Sequence, residues 1–245
     1  MTPTVVFPGA GSFGGELAAL LKALGPAAWP ARYPGRHGRD FGVPAESFDA
    51  VVRECAGQVA ARSAAPPMLV GHSFGAYVAY ATAARLREQG LEVPVVVAVG
   101  ANAPGRFEVP EHATASPAGA TAYLHRVDPS ALAAAPSDDW REVVAETVMH
   151  DLRLLRQFVA ASVPVVRCAV YAARGAADPL TSDAAAGNWA RHTGGPFALR
   201  VFPGGHSQLL GSPDFLTWVR EVQDSAAQPA AAAPVAPCPN REARS

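Results

Sequence analysis

Short apolar runs alternate along the chain with stretches in which apolar residues return every third or fourth position. "TVVFP" reads as a strand, "GELAALLKALG" as a helix and "AWPARYP" as a second strand, after which Phe48, Val51, Val52, Cys55 and Val59 mark one face of a helix. Met68, Leu69 and Val70 form another β-prone run and lead at once into Tyr77, Val78 and Ala81 at helical spacing, closed by Gly90. "VPVVVAVG", "VPVVRCAVYAA" with its strand from about Val165, and "FALRVFP" supply further strands. Alternation of this kind predicts an α/β fold, a mostly parallel sheet with helices on both faces.

Residues 107–162 break the rhythm. A Pro-, Ala- and Ser-rich stretch leads into a long helical pattern with Val144, Val148, Leu152 and Leu155 on one side. A mostly helical insertion between two strands, at the end where the strands finish, is placed to be a lid, with apolar positions such as Tyr123 and Leu124 set to meet a substrate. From Asp224 the chain becomes Ala/Pro-rich. Residues 1–223 are therefore expected to form a single domain and residues 224–245, Cys238 among them, a disordered tail.

Composition narrows the function classes. A formal net charge of -1 over 245 residues argues against nucleic acid as a partner. No run is long and apolar enough to suggest a membrane span, and the start reads as no secretory signal. Three scattered cysteines, Cys55, Cys168 and Cys238, suit neither a disulfide framework nor a metal cluster, so a cytoplasmic protein without a bound metal is expected.

Candidate chemistry centres on "LVGHSFGAYVAYA". Ser73 sits between Gly71 and Gly75 where a strand pattern turns into a helix pattern, the G-x-S-x-G form of a nucleophile elbow. Such a turn lifts the hydroxyl to the carboxyl end of a sheet and leaves the amide of Phe74 at a helix N-terminus, where an oxyanion could form. The alternative is a serine that merely caps the helix. A lone serine is a poor nucleophile and needs a base, itself oriented by an acid. Asp178 follows one β-prone run and His206 another, in the chain order Ser, acid, His of the α/β-hydrolases.

Pro179 behind Asp178 favours a turn over a cap, and Gly204-Gly205 lets the His206 loop bend back over the sheet. Of the seven histidines, His72 reads as structural, and His37, His112, His125, His150 and His192 as solvated. The glycine-rich "FPGAGSFGG" after the first strand lacks a P-loop lysine and dinucleotide spacing, so an amide near Ala10 is better read as the second oxyanion donor.

With "FPGAG", "YPGR", "GHSFGAYVAY", "HDLRLLRQF", "DPL" and "GPFALRVFPGGH", the chain resembles the type II thioesterases, stand-alone α/β-hydrolases of polyketide and nonribosomal peptide biosynthesis. The similarity runs from about Val5 to about Val222. It implies Ser73 as nucleophile, Asp178 as orienting acid, His206 as general base, and Ala10 and Phe74 as oxyanion amides. It also implies acyl-thioester substrates borne by an acyl or peptidyl carrier protein, with phosphopantetheine carried by the substrate and no cofactor on the enzyme. Two positions depart from the family's habit: Gly9, often a bulky His or Tyr, and Phe74, often Met or Leu, both flanking the acyl pocket. A carboxylesterase or lipase, or an acyltransferase of the same fold, would use the same triad.

Overall fold

The structure, a computed structural model, describes residues 2–133, 136–160 and 164–227. Six strands form one sheet, β1 (Thr4–Phe7), β2 (Ala28–Pro30), β3 (Met68–His72), β4 (Val95–Val99), β5 (Ala169–Gly175) and β6 (Phe197–Phe202). All pair in parallel, in the order β2-β1-β3-β4-β5-β6.

The strands are apolar on both sides, and the period-2 alternation of side chains divides them between two cores. Val5, Phe7, Leu69, Val96 and Ala98 face one core, with helices α2 (Phe48–Arg62) and α3 (Phe74–Glu88). Val6, Met68, Val70, Val95, Val97 and Val99 face the other, with α1 (Ala18–Leu24) and α9 (Pro213–Ala226). Ser47 starts α2 by accepting the Ala50 amide at 3.1 Å, which satisfies one of the free first-turn donors. The outcome is the α/β-hydrolase arrangement expected from the sequence.

Between β4 and β5 the chain forms α4 (Glu111–Ala115), α5 (Pro117–Val127), α6 (Pro129–Ala133) and α7 (Asp138–Ala160). The insertion is helical as expected. Ser116 caps α5 through the Gly119 amide, with Pro117 in the first turn, so the Pro/Ser-rich composition marks helix starts. Val144, Val148, Leu152 and Leu155 of α7 are all buried. A short helix α8 (Asp183–Gly187) follows β5.

Three boundaries differ from the sequence reading. β5 starts at Ala169 and not near Val165, which is 54% exposed; Val166 makes only an isolated bridge to Thr193. Pro94 and Pro196 stand just before the two flanking strands, and a proline has no N–H to extend the ladder toward Val165. β2 covers only Ala28–Pro30 of the expected run, an edge strand ended by its own proline. Asp224 to Ala226 belong to α9 and not to a tail, because Gln223 bonds Thr2, Thr4 and Leu24 and fixes the helix end against β1 and α1. Residues 228–245 lie outside the described residues, as does Cys238.

Candidate active site

Ser73 joins β3 to α3 with φ 53 and ψ -120, and among the described residues no other non-glycine has a positive φ. Strain of this kind persists only where the surroundings over-determine it. A Cβ on Gly71 would lie 2.2 Å from the Gly75 carbonyl oxygen, and one on Gly75 would lie 2.2 Å from that of Phe7. Both flanking glycines are thus demanded by backbone passing close by. The Ser73 amide donates to the Val99 carbonyl at 2.8 Å, tying the turn to the neighbouring strand.

Asp178 and His206 come from the loops after β5 and β6. The imidazole Nδ1 of His206 lies 3.0 Å from Asp178 Oδ2. Asp178 is 4% exposed and also accepts from the Leu180 amide and the Thr181 hydroxyl, each at 2.9 Å. Burial pushes its carboxyl up, but the hydrogen bond and charge of His206, with those two donors, outweigh it and hold the group below the usual carboxylate range. A carboxylate here requires Nδ1 to carry the proton, which leaves Nε2 as the acceptor.

Ser73 and His206 line one cavity of about 440 Å³, along with Gly9, Ala10, Phe74, Tyr123 and Leu124. Every site residue expected from the sequence is therefore at this cavity or, for Asp178, bonded to a residue that is. A Cβ on Gly9 would stand 3.1 Å from His72 Nδ1 and 3.6 Å from the Ser73 Cβ, so a larger side chain here would press on His72 beside the serine. The Phe74 ring turns into the core, edge-on to Tyr33 and Phe48. Tyr77, Leu152 and Leu155 complete an apolar wall shared by α3 and α7.

His72 is buried, and its Nε2 donates to the carbonyl of His206 at 3.1 Å. Burial, and then the nearness of His206, pull its pKa down to about 3, so it stays neutral. It is structural, as expected, yet it supports the base's own backbone. His150 and His192 are half-buried and not solvated, His150 bonding the Ala45 carbonyl and His192 packing on Trp189. Burial raises the thiol pKa of Cys55 and takes that of Cys168 to about 11, which leaves neither primed as a nucleophile.

Sequence reasoning missed two further features. Thr181 holds the acid, and its spacing three residues after Asp178 was the available signal. Arg36 and Asp151 form an ion pair, 5% and 4% exposed, between the segment after β2 and α7. Among the described residues no group of three or more His, Cys, Asp or Glu side chains is placed to hold a metal, and no helix is long and apolar enough to cross a membrane.

Comparison with known proteins adds to this geometry. The family model described as "Thioesterase domain" matches residues 2–222. A probable cadicidin biosynthesis thioesterase of Streptomyces griseus is 30% identical over 141 residues, which are 58% of this chain and 39% of that relative, so the match spans well under half of its length. Among solved structures, the type II thioesterase BorB from the borrelidin biosynthetic cluster is similar at TM-score 0.77 and 26% identity, over 91% of this chain and 93% of its own. The RedJ thioesterase of the prodiginine pathway in Streptomyces coelicolor shares the fold at TM-score 0.78 and 23% identity, over 91% of this chain and 85% of its own.

Proposed function

This chain belongs to the thioesterase-domain family, and from that premise we propose that it is a type II thioesterase that hydrolyses acyl groups from carrier-protein thioesters in polyketide or nonribosomal peptide biosynthesis. The observation that carries the reading is the pairing of the Asp178–His206 hydrogen bond at 3.0 Å with Ser73, held at positive φ on the same cavity. His206 takes the proton of Ser73, and the alkoxide attacks the thioester carbonyl. The amides of Ala10 and Phe74 hold the oxyanion, the phosphopantetheine sulfur leaves as a thiol with the proton from His206, and water then attacks the acyl-serine by the same steps, releasing the acid and restoring Ser73. The chemistry needs no cofactor beyond the phosphopantetheine of the substrate, and the partner is an acyl or peptidyl carrier protein in the cytoplasm.

The apolar wall of Tyr123, Leu124, Leu152 and Leu155 suits the acyl chain. On this reading residues 107–162 are the lid of a single domain that runs to the end of α9 at Ala226. Intact-protein mass spectrometry of a carrier loaded with acetyl, propionyl or longer acyl groups tests it. The carrier should lose the acyl mass and keep its phosphopantetheine after the enzyme is added. An unchanged carrier beside rapid cleavage of simple oxyesters would point to a carboxylesterase or lipase, and an acyl group recovered on an added amine or alcohol to an acyltransferase.

A further inference from the structure

Two segments singled out in the sequence, "YPGR" and "HDLRLLRQF", find no place in the triad. They meet in the fold. Arg36, from the first, and Asp151, from the second, lie 115 residues apart and pair in the interior, outside the lining of the cavity. Both grip the loop after β1. The Gly11 amide donates to Asp151 Oδ2 at 2.8 Å, and Arg36 Nη1 donates to the carbonyls of Ser12 at 2.5 Å and Gly9 at 3.4 Å. Tyr33, whose ring lies 4.6 Å from the Arg36 guanidinium carbon, donates its hydroxyl to the Pro8 carbonyl at 3.0 Å. Gly11 itself, at φ +70, is pressed against Val148 of α7.

We propose that the Arg36–Asp151 pair is the device that positions the Ala10 amide for the oxyanion. In a trans peptide the carbonyl of one residue and the N–H of the next point in opposite directions. Holding the Gly9 carbonyl on Arg36 and on the Ser12 amide at 3.2 Å therefore turns the Ala10 N–H the other way, toward the cavity that Ala10 lines. Asp151 fixes the next turn of the same loop and fixes the guanidinium that grips it. A donor set by this fork is in place before charge develops, which is what oxyanion stabilisation requires. The guanidinium reaches two carbonyls through one nitrogen and a carboxylate through another, a planar spread that a lysine's single nitrogen does not reproduce. Arg36 and Asp151 are positioning residues, acting through the loop, and the inference rests on the thioesterase reading above.

The test uses Arg36→Lys, which keeps a cation beside Asp151, and Asp151→Asn, which keeps an acceptor for Gly11. Leu154→Ala, a buried position on α7 outside the cavity lining, serves as a control. Rates are measured on an acyl-pantetheine thioester, together with inhibition by an alkylboronic acid, whose serine adduct needs the oxyanion donors. Both variants are expected to lose roughly 10- to 100-fold in kcat with KM within about twofold, and to weaken boronate inhibition by a similar factor. Leu154→Ala should lower Tm and leave kcat within about twofold.

A folded Arg36→Lys or Asp151→Asn with unchanged kcat and boronate inhibition would overturn the proposal. Tyr33→Phe, a conservative change that frees the Pro8 carbonyl, should lower kcat severalfold at constant KM. No effect there, with the other two variants unfolded, would overturn it equally. Absence of thioester turnover in the wild type would tell against the activity itself, whereas wild-type turnover with unaltered variants tells against the positioning role alone.

Discussion

At Ser73 the residues that permit the conformation stand within five positions of sequence, although β1 and β4 also brace the turn, whereas the helices covering it are held by pairs drawn from far along the chain. Gly71 and Gly75 are demanded because a Cβ at either would come within 2.2 Å of a carbonyl oxygen, that of Gly75 in one case and that of Phe7 on β1 in the other, so the motif supplies the small residues the turn needs. In α7, by contrast, Asp151 reaches Arg36, His150 reaches the Ala45 carbonyl and Gln157 accepts the Phe48 amide, each across more than a hundred residues. The residues that place the attacking group are thus readable from one short motif. The shape of the space around it is specified by pairings across the whole chain.

The comparison is best broken at its strongest point. Asp178→Asn should cost about 10⁴-fold in kcat, because an amide stabilises the wrong imidazole tautomer while keeping the shape of the site. Near-wild-type rates would move the acid elsewhere. Next in size, Gly75→Ala should destabilise the protein by about 3 kcal/mol or more, since its Cβ collides with the Phe7 carbonyl. A urea midpoint like that of the wild type would show that the turn has slack.

His72 gives a smaller, pH-dependent effect. Its pKa is about 3 in the folded chain against 6.5 for a free histidine, so between those values the unfolded chain binds a proton that the folded chain refuses. Stability from this group is therefore lost as pH falls through that window, at no more than about 1.4 kcal/mol per pH unit. His72→Gln keeps a donor for the His206 carbonyl and should flatten urea midpoints between about pH 6 and pH 4. An unaltered slope would place the acid sensitivity in other groups. The smallest expected effect lies in the lid. Tyr123→Ala should shift the chain-length profile on acyl-thioesters severalfold toward longer or branched groups and leave a very short activated ester untouched. Identical profiles would make the insertion a packing layer.

Much of this was legible in the chain. Short β-prone runs and period-3.6 patterns placed the six strands and the main helices, and strand-end position singled out Asp178 and His206 from other acids and histidines. What escaped was non-local. The start of β5 depends on prolines just before two other strands, and the end of α9 on Gln223 meeting the first residues of the chain. The partnership of Arg36 and Asp151 has no local signature, because an arginine after a turn and an aspartate on a helix read separately as surface charges. Nor does a sequence period say which residues of the four inserted helices face a cavity.

The central claim is that acyl thioesters are cleaved through Ser73. Mixing the wild-type enzyme with an acyl-pantetheine thioester, quenching in acid within the first turnovers, and mapping the acyl mass by peptide mass spectrometry tests it directly. The account predicts an acyl adduct confined to the peptide carrying Ser73, and none on the same peptide of Ser73→Ala, which should be inactive. Turnover retained by Ser73→Ala, or an adduct on a different residue, would contradict it.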